Sequence, residues 1–145
     1  MSFKKILIAV DASPFGAHAA EVGLDLARSL QAEAAYVTVV DPASAQSIAG
    51  SGISVEEWMT AANRDAASLL AAFRDRASVQ PPALTFLEHG KPAEQIVKAA
   101  TEWGASMIVL GTHGRGAVGN MLIGSVAQGV THHACCPVLI VRAQG

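Results

Sequence analysis

Residues Ser106 to Val126 read SMIVLGTHGRGAVGNMLIGSV. The apolar run Met107-Ile108-Val109-Leu110 gives way abruptly to Gly111, Gly114, Gly116 and Gly119. A second apolar run then carries Gly124 and Ser125. Strand, glycine-rich loop and helix start is an arrangement that presents backbone N–H groups to an anion, most often a phosphate. The stretch therefore predicts the fourth strand of an α/β fold and a nucleotide phosphate site together. The rest of the chain supplies the context that such a site needs.

The chain has 145 residues, which fits one compact domain spanning 1–145 with a self-sufficient core. It is 51% hydrophobic and only 15% charged, against a typical ~25% charged. So apolar a surface is compatible with a buried interface between copies. A formal net charge of −2 argues against broad electrostatic binding to nucleic acid or anionic lipid. No apolar run approaches the ~20 residues of a membrane span. ILIAV, after Lys4 and Lys5, is too short for a signal-peptide core and runs straight into Asp11. Cys135 and Cys136 are adjacent, which does not suit a loop-closing disulfide. These features predict a soluble cytoplasmic protein.

Working back to the N-terminus, Lys4 to Val10 (KKILIAV) is continuously apolar before Asp11, as a strand buried on both faces would be. Ser13 is a candidate N-cap and Pro14 a first helical residue. Phe15, Ala19, Val22, Leu26 and Leu30 then recur at helical spacing and predict the buried face. Glu33 to Asp41 (EAAYVTVVD) is a second strand that also ends in aspartate. Pro42 to Ser54 has no period and many small residues, which predicts a long loop beyond a strand's C-terminal end. From Val55 a long helix carries Trp58, Ala62, Ala66, Leu69, Phe73 and Ala77 on one face, and Pro81-Pro82 closes it. Ala83 to Glu88 is a third strand with His89-Gly90 as its turn, and Lys91 to Gly104 a helix turning Ala93, Ile96, Val97 and Ala100 inward. Ser106 to Leu110 is the fourth strand. Val118, Leu122, Val126 and Val130 predict a helix after it, and Pro137 to Val141 a fifth strand.

Strands alternating with helices imply βαβ units with right-handed crossovers. The expected fold is a doubly wound, Rossmann-like, five-stranded parallel sheet in the order 3-2-1-4-5, flanked by about four helices. In that order the strand sequence reverses between the first and fourth strands. Asp11 and the glycine loop would then face one crevice.

The loop is not a Walker phosphate loop, because no lysine precedes Ser125. Gly114-x-Gly116-x-x-Gly119 matches a dinucleotide fingerprint, yet it follows the fourth strand and not the first, and no carboxylate lies about 20 residues on. The spacing left is Gly111-x2-Gly114-x9-Gly124-Ser125. Here the chain resembles the universal stress protein family, whose ATP-binding members carry G-x2-G-x9-G-[S/T]. ILIAVDAS, VTVVD and GTHGRG…GSV…HACCPVLIVR extend the resemblance over nearly the whole length.

The resemblance implies a regulatory protein that binds ATP, with Mg²⁺, in the crevice. It implies that Gly111 and Gly114 let the backbone approach ribose and phosphates, and that Gly124 and Ser125 hold phosphate oxygens beside Val126. Asp11 would lie beside the ribose or a phosphate-bound Mg²⁺, Val39 would read the adenine edge, and Ala9 and Leu110 would wall the base pocket. Asn120 stands where the family often has a basic residue, which leaves Arg115 as the nearest cation; His113 would help when protonated. The resemblance also implies a homodimer paired through Val138–Val141, and an apolar edge strand independently favours such pairing.

Other readings compete with these. A slow ATPase or phosphotransferase would draw on Asp11, His113 and Arg115, a thin set for phosphoryl transfer. A ligand-free dimerisation module would need no site. His132-His133 and Cys135-Cys136 have metal-binding chemistry, but their crowding does not match the separated ligand pairs of zinc sites. Trp58 and Trp103 read as packing residues. Gly129 inside the last helix reads as a cost of ~1 kcal/mol relative to alanine.

Overall fold

A computed structural model of the chain describes residues 2–113 and 123–142. Gly114, Arg115, Gly116, Val118, Gly119, Asn120 and Leu122 lie outside the described residues. Five strands form one sheet: β1 (Lys5–Ala9), β2 (Glu33–Val40), β3 (Leu84–His89), β4 (Met107–Gly111) and β5 (Val138–Val141). Every neighbouring pair is parallel, as the alternation of strand and helix patterns predicts, and the spatial order is the expected β3-β2-β1-β4-β5. The helices among the described residues are α1 (Pro14–Leu30), α2 (Val55–Arg76), α3 (Pro92–Trp103), α4 (Ser125–His133) and a 3₁₀ segment, Pro42–Ile48.

Continuous apolarity in the central strands has the expected cause. Successive side chains alternate between faces, and both faces are covered. Ile6 and Ile8 of β1 point into a core with Tyr36, Val109, and the small residues Ala19, Ala20 and Ala27 of α1. Leu70 and Phe73 of α2 complete that side. Leu7 points the other way, into a core with Val37, Ile108 and Leu110 under Ile96 and Ala100 of α3 and Val130 of α4.

Several boundaries differ from the sequence-based expectations. The stretch Pro42 to Ser54 is not loop throughout. Asp41 accepts from the Ala43 backbone N–H at 2.9 Å and Pro42 takes the first position, so the chain turns at once into the 3₁₀ segment. No residue of that segment is buried, which is why no apolar period betrays it. The buried stripe of α1 is Gly16, Ala19, Ala20, Gly23 and Ala27, while Phe15, Val22 and Leu26 are only half-buried and Leu30 is exposed. At Gly23 a Cβ would lie 2.8 Å from the Ile8 side chain, so α1 sits too close to the sheet for large residues. α4 begins at Ser125; Val126 and Val130 lie in it. α3 ends on Gly104, whose φ of 80° is the left-handed C-cap glycine readily adopts. Among the described residues no helix is long and apolar enough to cross a membrane.

Gly129 has a reason that propensity does not show. A Cβ there would lie 2.6 Å from the Ala93 Cβ, so α3 and α4 approach through the missing side chain. Gly129→Ala should therefore lower stability by about 1–2 kcal/mol despite alanine's better helix propensity, because overlap of a packed contact outweighs that gain. Urea unfolding of the two proteins measures it; an unchanged or raised midpoint would show that the helices separate freely.

Candidate functional site

The strands' C-terminal ends, α1's entry turn, α2 and the start of α4 enclose a cavity of about 660 Å³. That volume lies within the ~300–1,000 Å³ of small-molecule sites. It opens where the strand order reverses, between β1 and β4, the usual ligand crevice of an open α/β sheet. Ala9, Asp11, Val39, Leu110 and Gly111 all line it. So do Gly124, Ser125 and Val126. The remaining two residues of the expected set, Gly114 and Arg115, lie outside the described residues.

Each wall has a local cause. Asp11 lies two residues beyond β1 and accepts from the Ser13 backbone N–H at 2.9 Å and from the Ser13 hydroxyl at 2.5 Å. The same hydroxyl accepts from the Gly16 N–H at 3.3 Å, which caps α1. A Cβ on Gly16 would lie 2.8 Å from the Asp11 carboxylate, so the turn from β1 into α1 is closed by contact. Asp11 is thus a turn residue as well as a cavity residue.

Gly111 and Gly124 are explained in part by the chain's own packing. A Cβ on Gly111 would meet the Phe15 backbone oxygen at 3.1 Å, and one on Gly124 the Thr112 carbonyl oxygen at 3.1 Å. The Gly124 N–H donates to that Thr112 carbonyl at 2.6 Å, so it is spent within the fold. The helix it precedes is not capped by any side chain among the described residues. The amides of Ser125, Val126 and Ala127 open α4 toward the cavity, where the helix dipole favours negative charge. The Ser125 side chain is exposed.

The electrostatics point in two directions. Asp11, Asp41 and Asp65 all line the cavity, and among the described residues no lysine or arginine does. Asp41 is engaged in capping the 3₁₀ segment, and Asp65 lies 3.9 Å from Arg64 on an exposed surface. His113, whose ring centroid is 5.7 Å from that of Phe15, lines the same wall. An anionic ligand here would meet amides at one end and carboxylates along the sides.

Sequence reasoning missed the contribution of α2. Trp58, Ala61, Ala62, Asp65, Ala66 and Leu69 line the cavity along one face of that helix. The signal is present as a helical apolar period through Trp58, Ala62, Ala66 and Leu69, which does not by itself separate cavity from core; only Leu70 and Phe73 of α2 are buried. Trp103 is the packing residue expected: it meets Phe86 edge-on at 5.9 Å, with the Lys5 ammonium 5.3 Å from its centroid. Trp58 joins neither core. His132, His133 and Cys135 are exposed, and Cys136 is half-buried with its thiol pKa pushed up by burial and by neighbouring Cys135. Among the described residues no group of three or more His, Cys, Asp or Glu could hold a metal ion.

The comparisons with known proteins agree with this fold. The family model described as "Universal stress protein family" matches residues 2–142. Universal stress protein YxiE of Bacillus subtilis is 31% identical over 147 aligned positions, covering 97% of this chain and 99% of the relative. The solved structure of hypothetical protein MJ0577 superposes with a TM-score of 0.87 at 24% identity, covering 100% of this chain and 99% of that one. A universal stress protein solved in complex with cAMP superposes with a TM-score of 0.64 at 21% identity, each chain 98% covered. At these identities the structural likenesses speak for the fold.

The packing role of Gly111 is separable from any ligand. Gly111→Val should cost about 1–3 kcal/mol in the absence of nucleotide, because the added side chain meets the Phe15 backbone. Thermal unfolding of the ligand-free variant reads this directly, and an unshifted midpoint would reassign the glycine to ligand contact alone.

Proposed function

The chain belongs to the universal stress protein family, and from that premise we propose that it is a cytoplasmic ATP-binding regulatory protein, one nucleotide-binding domain over residues 1–145. The observation that carries the reading is the first turn of α4, which no side chain caps among the described residues, lining the same cavity as the C-terminal ends of β1, β2 and β4. Amides at a helix N-terminus suit phosphate oxygens, and the strand ends offer an apolar slot for a base. A relative of the same fold has been solved with cAMP bound, which supports an adenine nucleotide as the ligand class.

In this reading the phosphates lie against Ser125 and Val126, with Gly124 at the helix entry and Gly111, Gly114 and Arg115 along the loop. Ala9, Val39 and Leu110 take the base. Asp11 faces the ribose or a phosphate-bound Mg²⁺. The carboxylates around the cavity make the cation important: Asp11, Asp41 and Asp65 would repel a bare triphosphate, and Mg²⁺ offsets part of its charge. Binding is regulatory when it alters assembly. β5 is an edge strand with half-buried Val138, Leu139 and Ile140. Pairing with a second copy through Val138–Val141 would satisfy that edge and form a homodimer.

Isothermal titration with ATP is the test. Saturable heat with Mg²⁺ present, weakened about tenfold or more when EDTA removes the cation, is expected. No heat and no thermal shift at millimolar ATP would overturn the proposal, since a ligand that binds the folded state must raise its stability. Sedimentation of the same sample, with and without ATP, reports whether assembly follows the nucleotide.

A further inference from the structure

Trp58 is a large apolar side chain that the fold does not use for its core. The chain contains two tryptophans. Trp103 packs among the buried residues between the sheet and α3, with an aromatic neighbour and a cation on its ring. Trp58 packs against neither core cluster, has no ring partner among the described residues, and is nonetheless half-buried. It lines the cavity.

Its surroundings on α2 make room for a flat group. Trp58, Ala61, Ala62, Asp65, Ala66 and Leu69 share the cavity-facing stripe, at spacings of three and four residues. Between Trp58 and Leu69 the apolar members are all alanine, a low strip of about 7.5 Å from Ala61 to Ala66 at 1.5 Å per residue. The anchor of α2 lies beyond this strip. Leu70 and Phe73 are its buried residues, and Phe73 meets Tyr36 at 5.5 Å. The N-terminal half of α2 thus holds an aromatic face beside the cavity, tied to the end of β3 by a 2.6 Å hydrogen bond between Asn63 and His89.

We propose that Trp58 is a specificity-determining residue that stacks on the aromatic base of the ligand and selects base-bearing ligands over bare phosphates. The proposal rests on the nucleotide reading of the cavity and adds to it a wall supplied by α2. Val39 and Leu110 line the same cavity from the sheet ends, and in this proposal the planar ring lies between them and the indole. Stacking tolerates any base with a π-face, so Trp58 sets the ligand's class, while hydrogen bonds to the base edge choose among bases.

The test uses the full chain with Trp103→Phe as background, so that Trp58 is the remaining indole. ATP with Mg²⁺ should quench its fluorescence saturably, and inorganic tripolyphosphate with Mg²⁺ should not. By calorimetry, Trp58→Leu should weaken ATP on the order of tenfold, the loss of one base–aromatic stack, and leave tripolyphosphate within about twofold. Trp58→Phe should recover most of the ATP affinity. If Trp58→Leu binds ATP as the parent does, or loses both ligands equally, the stacking role is overturned while the nucleotide reading stands. If the parent itself binds no ATP, both are overturned.

Discussion

The pairing of β1 with β4 is the constraint on which the rest of the molecule depends. Ile6, Leu7 and Ile8 lie opposite Met107, Ile108 and Val109, about a hundred residues away in the chain. At the entrance to this pairing Lys5 and Ser106 form a small clamp. The Ser106 N–H donates to the Lys5 carbonyl at 2.7 Å, and the Lys5 N–H to the Ser106 hydroxyl at 2.9 Å. The hydroxyl donates back to the Lys5 carbonyl at 2.8 Å. Such long-range contacts carry a large closure cost, so the strands must recover it through burial. All six paired residues except Met107 are fully buried, which is what a strand covered on both faces can offer.

Because β1 and β4 are neighbours, the two chains leaving them must diverge to opposite faces of the sheet. That divergence makes the crevice, and small residues set its shape. Gly16 lets α1 start directly against Asp11, Gly23 lets it run close over Ile8, and Gly111 lets the end of β4 pass beneath Phe15. On the other face Gly129 does the same for α4 against Ala93. A glycine-rich sequence in a fold of this kind therefore records close approach of helices to the sheet and to one another, as well as contact with a ligand.

This is also why some of the molecule was legible in the sequence and some was not. KKILIAV, EAAYVTVVD and SMIVL announce buried strands by composition alone, and the alternation with helical periods gives a parallel, doubly wound sheet. The end of β1 and the beginning of α4 announce the cavity, because an aspartate after an apolar run and a glycine-serine before a helix are tied to backbone geometry. The stripe of α1 is legible in part, because helical period weights size. Ala19 is buried and Val22 and Leu26 pack against the core, but Leu30 is exposed, and the buried line runs through Gly16, Ala19, Ala20, Gly23 and Ala27, where α1 lies close to the sheet. The 3₁₀ segment was hidden for the opposite reason. It buries nothing, so its sole sequence mark is Asp41-Pro42.

The same distinction between period and size bears on α2. A helix facing a filled core needs bulk at the inward positions, and α2 supplies it at Leu70 and Phe73. One to three turns earlier the inward positions are Ala61, Ala62 and Ala66, and the space beside them is cavity. Replacing those alanines by larger apolar residues would fill that space and gain contact area, as hydrophobic burial generally does. Three small residues facing open volume, with an indole at one end, forgo packing that stability alone would favour. Native interiors are otherwise close-packed, so a strip of alanines beside a half-buried tryptophan is room that packing among the described residues leaves unused.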